Sequence, residues 1–213
     1  MPKSFYKTAV LALFLLVIII FLCYLTGQVV EGKTLVMDKA INLYLMNFRN
    51  PVLNEFMIQA SYLGQLMAFV LAGILGIYLL FKKHLLQFLS LSLAVKGTLE
   101  ITTLLKNIIG RARPDPLLRL VIESNFGYPS GHASQTFAIF PITAIYLIFF
   151  TKINNNLKWL SGIILMALLI LVSFSRLYLG VHYFTDVLAG SILGLSMAII
   201  FWLIQIYLKN FMR

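Results

Sequence analysis

The chain has 213 residues, of which 61% are hydrophobic and 11% are charged, and its mean hydropathy is +0.93. Soluble globular proteins are about half apolar and about one quarter charged, so this composition excludes an ordinary soluble domain. The net charge of +10 would suggest a nucleic-acid partner in a soluble protein, but here the charges lie between apolar runs, mark membrane borders and predict no nucleic-acid binding.

Six apolar runs are each long enough to cross a membrane as a helix, which takes about 20 residues. In chain order they cover residues 8–26, 62–81, 85–109, 132–150, 157–177 and 183–208. The first run is too long, and lacks the small-residue pattern, for a cleaved signal peptide, so we expect a retained anchor. The sequence therefore predicts an all-α, polytopic six-transmembrane-helix bundle that forms a single membrane-embedded domain over residues 1–213.

The charges in the connections predict the topology, because Lys and Arg are retained in the cytoplasm. Eight of them fall on the face that the two termini share: Lys3, Lys7, Lys82, Lys83, Lys152, Lys158, Lys209 and Arg213. We expect that face to be cytoplasmic. The outer face then holds residues 27–61, residues 110–131 and a short turn at Gly180.

Two further patterns concern polar residues among apolar ones. Residues 35–48 place apolar side chains at helical spacing with Asp38, Lys39 and Asn42 between them, which predicts short amphipathic helices on the outer face. Lys96 and Glu100 lie four residues apart inside the third run. We expect them to neutralise each other inside the bundle, and a role in substrate or proton transfer is the alternative.

Three groups of polar residues lie near the outer ends of the runs: Lys106 with Arg113-Pro114; Tyr128-Pro129-Ser130-Gly131-His132; and Ser175-Arg176 with His182 and Asp186. Taken singly, they fit a snorkelling border, a helix cap and a structural hydrogen bond. Taken together, they place cations, the N–H groups of a helix start and a His–Asp pair on one face of the membrane. That combination suits a phosphate group.

The order and spacing Lys-x6-Arg-Pro, Pro-Ser-Gly-His and Ser-Arg-x5-His-x3-Asp resemble the type 2 phosphatidic acid phosphatase superfamily of membrane lipid phosphatases, which is related to the vanadium haloperoxidases. The resemblance extends from about Leu53 to the C-terminus. It implies that His182 is the nucleophile, that Asp186 orients it, and that His132 is the general acid and then the base. It also implies that the phosphoryl oxygens are held by Lys106, Arg113, Ser130, Gly131 and Arg176.

The resemblance implies a metal-independent, cofactor-free hydrolase. It would remove phosphate or pyrophosphate from a membrane lipid through a phosphohistidine, at the outer face of a bacterial cytoplasmic membrane. Members of this length resemble undecaprenyl pyrophosphate phosphatases and phosphatidylglycerophosphate phosphatases, and we favour the pyrophosphate. Scattered carboxylates at Asp115, Glu123 and Asp186 agree with the absence of a metal.

The expected partners are the lipid phosphate and membrane lipids, with no obligate protein partner. A lipid phosphotransferase, a non-enzymatic lipid transporter and a haloperoxidase-like activity remain as alternatives. Arg111 and Arg119 also lie on the outer face, where either a second phosphate or lipid headgroups would explain them.

Overall fold

The computed structural model describes residues 3–211, with side chains for residue 6 and residues 8–208. Over that range the chain is all-helical. The α-helices are α1 Lys3–Val30, α2 Leu35–Met46, α3 Pro51–Phe81, α4 Leu85–Ile109, α5 Gly131–Phe150, α6 Asn155–Tyr178 and α7 Phe184–Phe211. Of the residues used to predict the topology, Lys3, Lys7, Lys209 and Arg213 lie outside the described side chains.

Every helix except α2 is long and apolar enough to cross a membrane, which gives six spans. The predicted fold class, an all-α bundle of six transmembrane helices, is confirmed. The amphipathic segment is also helical, as α2. Its orientation differs from expectation, because Asp38 and Asn42 are buried against the protein whereas Val36 and Tyr44 are exposed.

The outer segment is shorter than the predicted residues 27–61. The first helix continues to Val30, and α3 begins at Pro51, eleven residues before the predicted start of the second span. Asn50 caps α3 with its side-chain oxygen, which accepts a hydrogen bond from the Leu53 N–H at 2.9 Å, and Pro51 suits the first helical position. No helix-breaking residue follows, so α3 runs into the apolar run without a break.

Close packing between α5 and α7 forms the centre of the bundle. A Cβ at Gly190 of α7 would lie 2.4 Å from the Ser130 carbonyl oxygen, and one at Gly194 would lie 2.2 Å from the Ser134 carbonyl oxygen. Small residues four apart let two backbones approach closely in a membrane. This contact brings the first turn of α5 next to the first turn of α7, where two of the three polar groups lie.

The expected pairing of Lys96 with Glu100 is wrong. Both residues lie on α4, both are exposed, and their side chains are not within ion-pair distance of each other or of any other described charged group. They point away from α3, α5 and α7, the helices against which α4 packs.

Candidate active site

The three polar groups meet at one end of the bundle. The Ser130 N–H donates to the Asp186 carbonyl oxygen at 2.9 Å, which joins the second group to the third. The connection between α4 and α5 folds over this point, because the Gly127 N–H donates to the Arg111 carbonyl oxygen at 2.9 Å. Residues that are up to 80 positions apart in sequence therefore share one site, as the sequence predicts.

His182 lies in the tight turn between α6 and α7, and Gly180 makes that turn possible. Gly180 has a φ of +70°, and a Cβ there would lie 2.6 Å from the Leu118 carbonyl oxygen. Any other residue would be strained at this φ and would also clash. The turn buries His182, which is 1% exposed, and its ring faces Asp186 in the first turn of α7.

The two ring nitrogens of His182 have different partners. Nδ1 lies 3.4 Å from Oδ2 of Asp186, and Nε2 lies 3.1 Å from Nη1 of Arg113. A guanidinium can only donate, so Nε2 must be the accepting nitrogen and the proton resides on Nδ1, facing the carboxylate. Burial, reinforced by Arg113, Arg176 and Lys106, holds the pKa of His182 well below its usual value. The imidazole is therefore neutral, with its Nε2 lone pair turned toward the cations.

Asp186 is fully buried and has further hydrogen-bond partners besides His182. Its Oδ2 accepts from the Tyr183 N–H at 2.9 Å, and its Oδ1 accepts from Arg111 Nη1 at 2.5 Å. Its carbonyl oxygen accepts from Ser130, as above. The bonds from Tyr183 and Arg111 fix the carboxylate in the orientation that faces Nδ1 of His182.

Arg113 and Arg176 converge on a carboxylate that the sequence reasoning did not select. Glu123 forms ion pairs with both guanidinium groups, at 3.4 Å from Nη2 of Arg113 and in closer contact with Nη2 of Arg176. Arg176 also donates to the Ser61 hydroxyl at 2.7 Å. No motif marks Glu123: Arg113 lies ten residues before it in the same α4–α5 connection, and Arg176 reaches it from α6. A phosphate oxygen would need the same two guanidinium groups.

Lys106 completes the set of cations. It is 8% exposed, and its Nζ donates to the Phe126 carbonyl oxygen at 2.5 Å. The loop carbonyl holds the amine at the inner side of the α4–α5 connection. None of its bonds among the described residues is to a carboxylate, so its positive charge is available to an anion.

The first turn of α5 contributes donors and the second histidine. Ser130 is the N-cap residue and is fully buried, and its hydroxyl has no hydrogen-bond partner among the described residues. The Nε atom of Arg176 and the hydroxyl of Thr102 are likewise unsatisfied within the described part of the chain. Gly131 begins the helix, where free N–H groups favour an anion. His132 follows within electrostatic range of Arg176, His182 and Arg113. Unsatisfied buried donors beside three cations fit a phosphoryl group.

Arg111 has a role that the sequence did not reveal. Its Nη2 donates to Asp38 of α2 at 2.7 Å and its Nη1 to Asp186 at 2.5 Å, and its guanidinium lies over the Tyr183 ring. Asp38 is fully buried and also accepts from the N–H and the hydroxyl of Thr185, at 3.0 and 2.6 Å. Neither a second phosphate nor lipid headgroups are needed to explain Arg111, because it joins α2 to the His–Asp pair.

Arg119 likewise has protein partners. Its Nε donates to the Pro114 carbonyl oxygen at 2.7 Å, and its Nη1 donates to the Glu123 carbonyl oxygen at 3.4 Å. It closes the loop that carries Glu123.

Within residues 3–211, no three His, Cys, Asp or Glu side chains are grouped so as to hold a metal ion. Independence from metals stays a prediction.

Comparison with known proteins agrees with this geometry. A sequence profile of the PAP2 superfamily matches residues 84–210, which contain all three polar groups. Phosphatidylglycerophosphatase B of Bacillus subtilis is 34% identical over 169 residues, covering 79% of this chain and 81% of that protein. The undecaprenyl-diphosphatase of Sulfolobus acidocaldarius is 27% identical over 197 residues, covering 90% and 87% of the two chains.

A solved structure is similar over nearly the whole length. The crystal structure of a transmembrane PAP2-type phosphatidylglycerolphosphate phosphatase from Bacillus subtilis has a TM-score of 0.75 and 31% sequence identity. The match covers 96% of this chain and 97% of that chain. It therefore includes α1 and α2, which lie before the region matched by the profile.

Proposed function

Because the chain belongs to the PAP2 superfamily and is a membrane phosphatase of lipid phosphates, we propose that it works through a phosphohistidine on His182. The observation that carries this proposal is the pair of contacts on the His182 ring. Nδ1 faces Asp186, and Nε2 carries a lone pair beside Arg113. A neutral imidazole with that tautomer is the nucleophilic form, and it is already placed among the cations that would hold the phosphoryl group.

In the first half-reaction, Nε2 of His182 attacks phosphorus and the bond from phosphorus to the leaving oxygen breaks. His132 donates its proton to that oxygen, while Asp186 stabilises the positive charge that develops on His182. Lys106, Arg113 and Arg176, with the Ser130 hydroxyl and the Gly131 N–H, hold the phosphoryl oxygens. Fixed cations stabilise the spread negative charge of the transition state, which is the main requirement of phosphoryl transfer.

In the second half-reaction, water attacks the phosphohistidine. His132, now neutral, takes a proton from the water, the bond from phosphorus to Nε2 breaks, and neutral His182 and inorganic phosphate result. Neither half-reaction needs a metal ion. Glu123 must leave Arg113 and Arg176 before substrate binds, because a phosphate and a carboxylate cannot occupy the same guanidinium edges.

We propose phosphatidylglycerophosphate as the leading candidate substrate, ahead of undecaprenyl diphosphate, which the sequence alone favours. The names of the Bacillus subtilis relative and of the similar crystal structure support phosphatidylglycerophosphate. Undecaprenyl diphosphate is supported by the name of the Sulfolobus acidocaldarius relative, whose match covers more of the chain. In both lipids an apolar tail would stay in the bilayer while the headgroup reaches the end of the bundle.

The test is phosphate release by the purified chain from phosphatidylglycerophosphate, undecaprenyl diphosphate and phosphatidic acid, in detergent with chelator present. We expect release from at least one of the first two, and none from the His182→Asn variant. Release that requires an added lipid acceptor, with the phosphate transferred to it, would favour the phosphotransferase alternative. No turnover of any lipid phosphate by a folded protein would contradict the proposal.

We further propose that the site lies at the outer face of a bacterial cytoplasmic membrane, with both termini in the cytoplasm. Single cysteines at Asn155 and at Leu117, in a Cys23→Ser background, test this with a membrane-impermeant thiol reagent on intact cells. Labelling at position 117 and not at position 155 is expected. The reverse pattern would place the site in the cytoplasm.

A further inference from the structure

Two opposite charges lie near the middle of a membrane-spanning helix with no ion-pair partner among the described residues. Lys96 is eleven residues from the start of α4 and thirteen from its end, about 16 and 20 Å at the rise of an α-helix. Glu100 lies one turn further along. Both side chains are exposed on the outside of the bundle, and neither is near a described opposite charge. Glu100 is nine residues, about 14 Å, from the end of α4. Each of these distances exceeds the length of the side chain concerned, so neither charge reaches the end of the helix.

An internal pair does not satisfy these charges. Lys96 and Glu100 are not within ion-pair distance, and a lysine four residues before a glutamate is the weaker order for pairing along one helix. Charged residues within membrane spans almost always pair with each other or face protein or water. No described residue supplies their partner, which favours a partner from outside the chain.

The charges belong to a longer exposed seam along α4. Lys96, Glu100, Thr103 and Asn107 are all exposed, and they follow one another at intervals of four, three and four residues. That is the spacing at which one helix packs lengthwise against another with a left-handed crossing.

The seam continues toward the start of α4 in apolar form. Leu86, Leu89 and Leu93 keep the same alternation of three and four residues, and they are 50%, 52% and 56% exposed. The face is therefore apolar over one half of the helix and polar over the other, with a constant register throughout.

We propose that α4 is the interface of a symmetric homodimer in the membrane. A two-fold axis along the membrane normal would place α4 beside α4 of a second copy. Lys96 would then pair with Glu100 of the partner subunit, and Glu100 with Lys96 of the partner subunit. The height difference of one helical turn, about 6 Å, is one that the long lysine side chain can span. The leucines would pack against each other in the other half of the seam.

A second copy satisfies both charges, and this is why we favour it over other occupants. An anionic lipid would pair with Lys96 but would be repelled by Glu100. A two-fold interface is self-complementary by symmetry, and one positive and one negative residue on the same stripe are what such an interface needs. Lys106 faces the inside of the bundle from the same helix, so a dimer would leave the proposed active site uncovered.

Charge reversal in two separate chains tests the pairing. The full chain, labelled with donor or acceptor dye at a cysteine replacing Asn155 in the Cys23→Ser background, is reconstituted in phosphatidylcholine vesicles, and energy transfer is followed as lipid dilutes the protein. We expect the wild type to dissociate at a lipid-to-protein ratio about tenfold higher than the ratio at which Lys96→Glu or Glu100→Lys dissociates. An equal mixture of the two variants should recover wild-type association, because each mixed dimer restores both opposite-charge pairs.

Lys39→Glu is the matched control, because it reverses an exposed charge on α2 and leaves α4 unchanged. Phosphatase activity in detergent verifies that each variant is folded. If a reversal does not insert, Lys96→Gln and Glu100→Gln replace the two reversals, and both should weaken association with no recovery on mixing. Energy transfer in wild type no greater than random proximity would overturn the proposal. So would single variants that associate like wild type, or reversals that fail to recover when mixed.

Discussion

Arg111→Lys isolates the link between α2 and the His–Asp pair. Arginine reaches two carboxylates at once, Asp38 at 2.7 Å and Asp186 at 2.5 Å, and both carboxylates are fully buried. Lysine keeps the positive charge but has a single ammonium group, so it cannot bridge both carboxylates in the same geometry. One of the two buried carboxylates therefore loses its charged donor.

The cost follows from that lost contact. Loss of a hydrogen bond to a charged group destabilises a protein by about 1.5–3 kcal/mol. Removing one partner of a buried ion pair destabilises a protein by roughly 3–5 kcal/mol. The expected cost is smaller here, because lysine keeps the positive charge. For a chain of this size the melting temperature should fall by about 3–12 °C. Turnover should fall by about 100-fold, because Asp186 no longer holds His182 in place.

The assay combines thermal unfolding in detergent with steady-state kinetics and inhibition by inorganic phosphate, the reaction product. We expect a lower kcat with a phosphate inhibition constant within about threefold of wild type, because Arg111 makes no hydrogen bond to the groups proposed to hold the phosphoryl oxygens. Arg119→Lys is the matched control, since the described hydrogen bonds of Arg119 are all to backbone carbonyls. If Arg111→Lys weakened phosphate binding and left kcat unchanged, Arg111 would be a phosphate ligand and our account of it would be refuted.

Three other predictions concern the site. Glu123→Gln removes the carboxylate that pairs with Arg113 and Arg176. Inorganic phosphate should therefore inhibit this variant at concentrations about fivefold lower, as expected for loss of about 1 kcal/mol of competing interaction. Weaker inhibition would contradict the idea that Glu123 competes with phosphate. The pKa of His182 is lowered by burial and by the neighbouring cations. As the pH drops below about 6.5, the unfolded chain therefore binds a proton on this histidine that the folded chain does not, and the free energy of unfolding falls. Between pH 6.5 and 5, the melting temperature of the wild type should therefore fall further than that of His182→Asn. Equal decreases would show that the pKa of His182 is not lowered. Excess EDTA should leave turnover nearly unchanged, whereas a rate that collapses with chelator and returns with Mg²⁺ would mean that a metal takes part.

The sequence predicted the spans well because each is a local property of composition. A run of about 20 apolar residues must be helical in lipid, where no backbone group can remain unpaired. Composition does not predict the start of α3, because Asn50 and Pro51 begin a helix that contains polar residues and so extends beyond the apolar run.

The three motif groups predicted which residues meet, but not the carboxylates that hold them. Asp38 lies between apolar residues of an amphipathic helix, and such a position normally faces water. It is buried because Arg111 and Thr185 reach it from distant segments. Glu123 is similar in part, since Arg176 reaches it from α6, whereas Arg113 lies in the same α4–α5 connection. Contacts of this kind depend on the tertiary fold and leave no periodic signal in the chain.

The proposed phosphohistidine is tested most directly by trapping it. The purified chain is mixed with a lipid substrate carrying radioactive phosphorus in the scissile group, quenched with alkali during turnover, and digested for peptide mapping. We predict alkali-stable, acid-labile phosphate on His182 of the wild type and none in His182→Ala. Phosphate on another residue, or retained turnover in the alanine variant, would contradict the account.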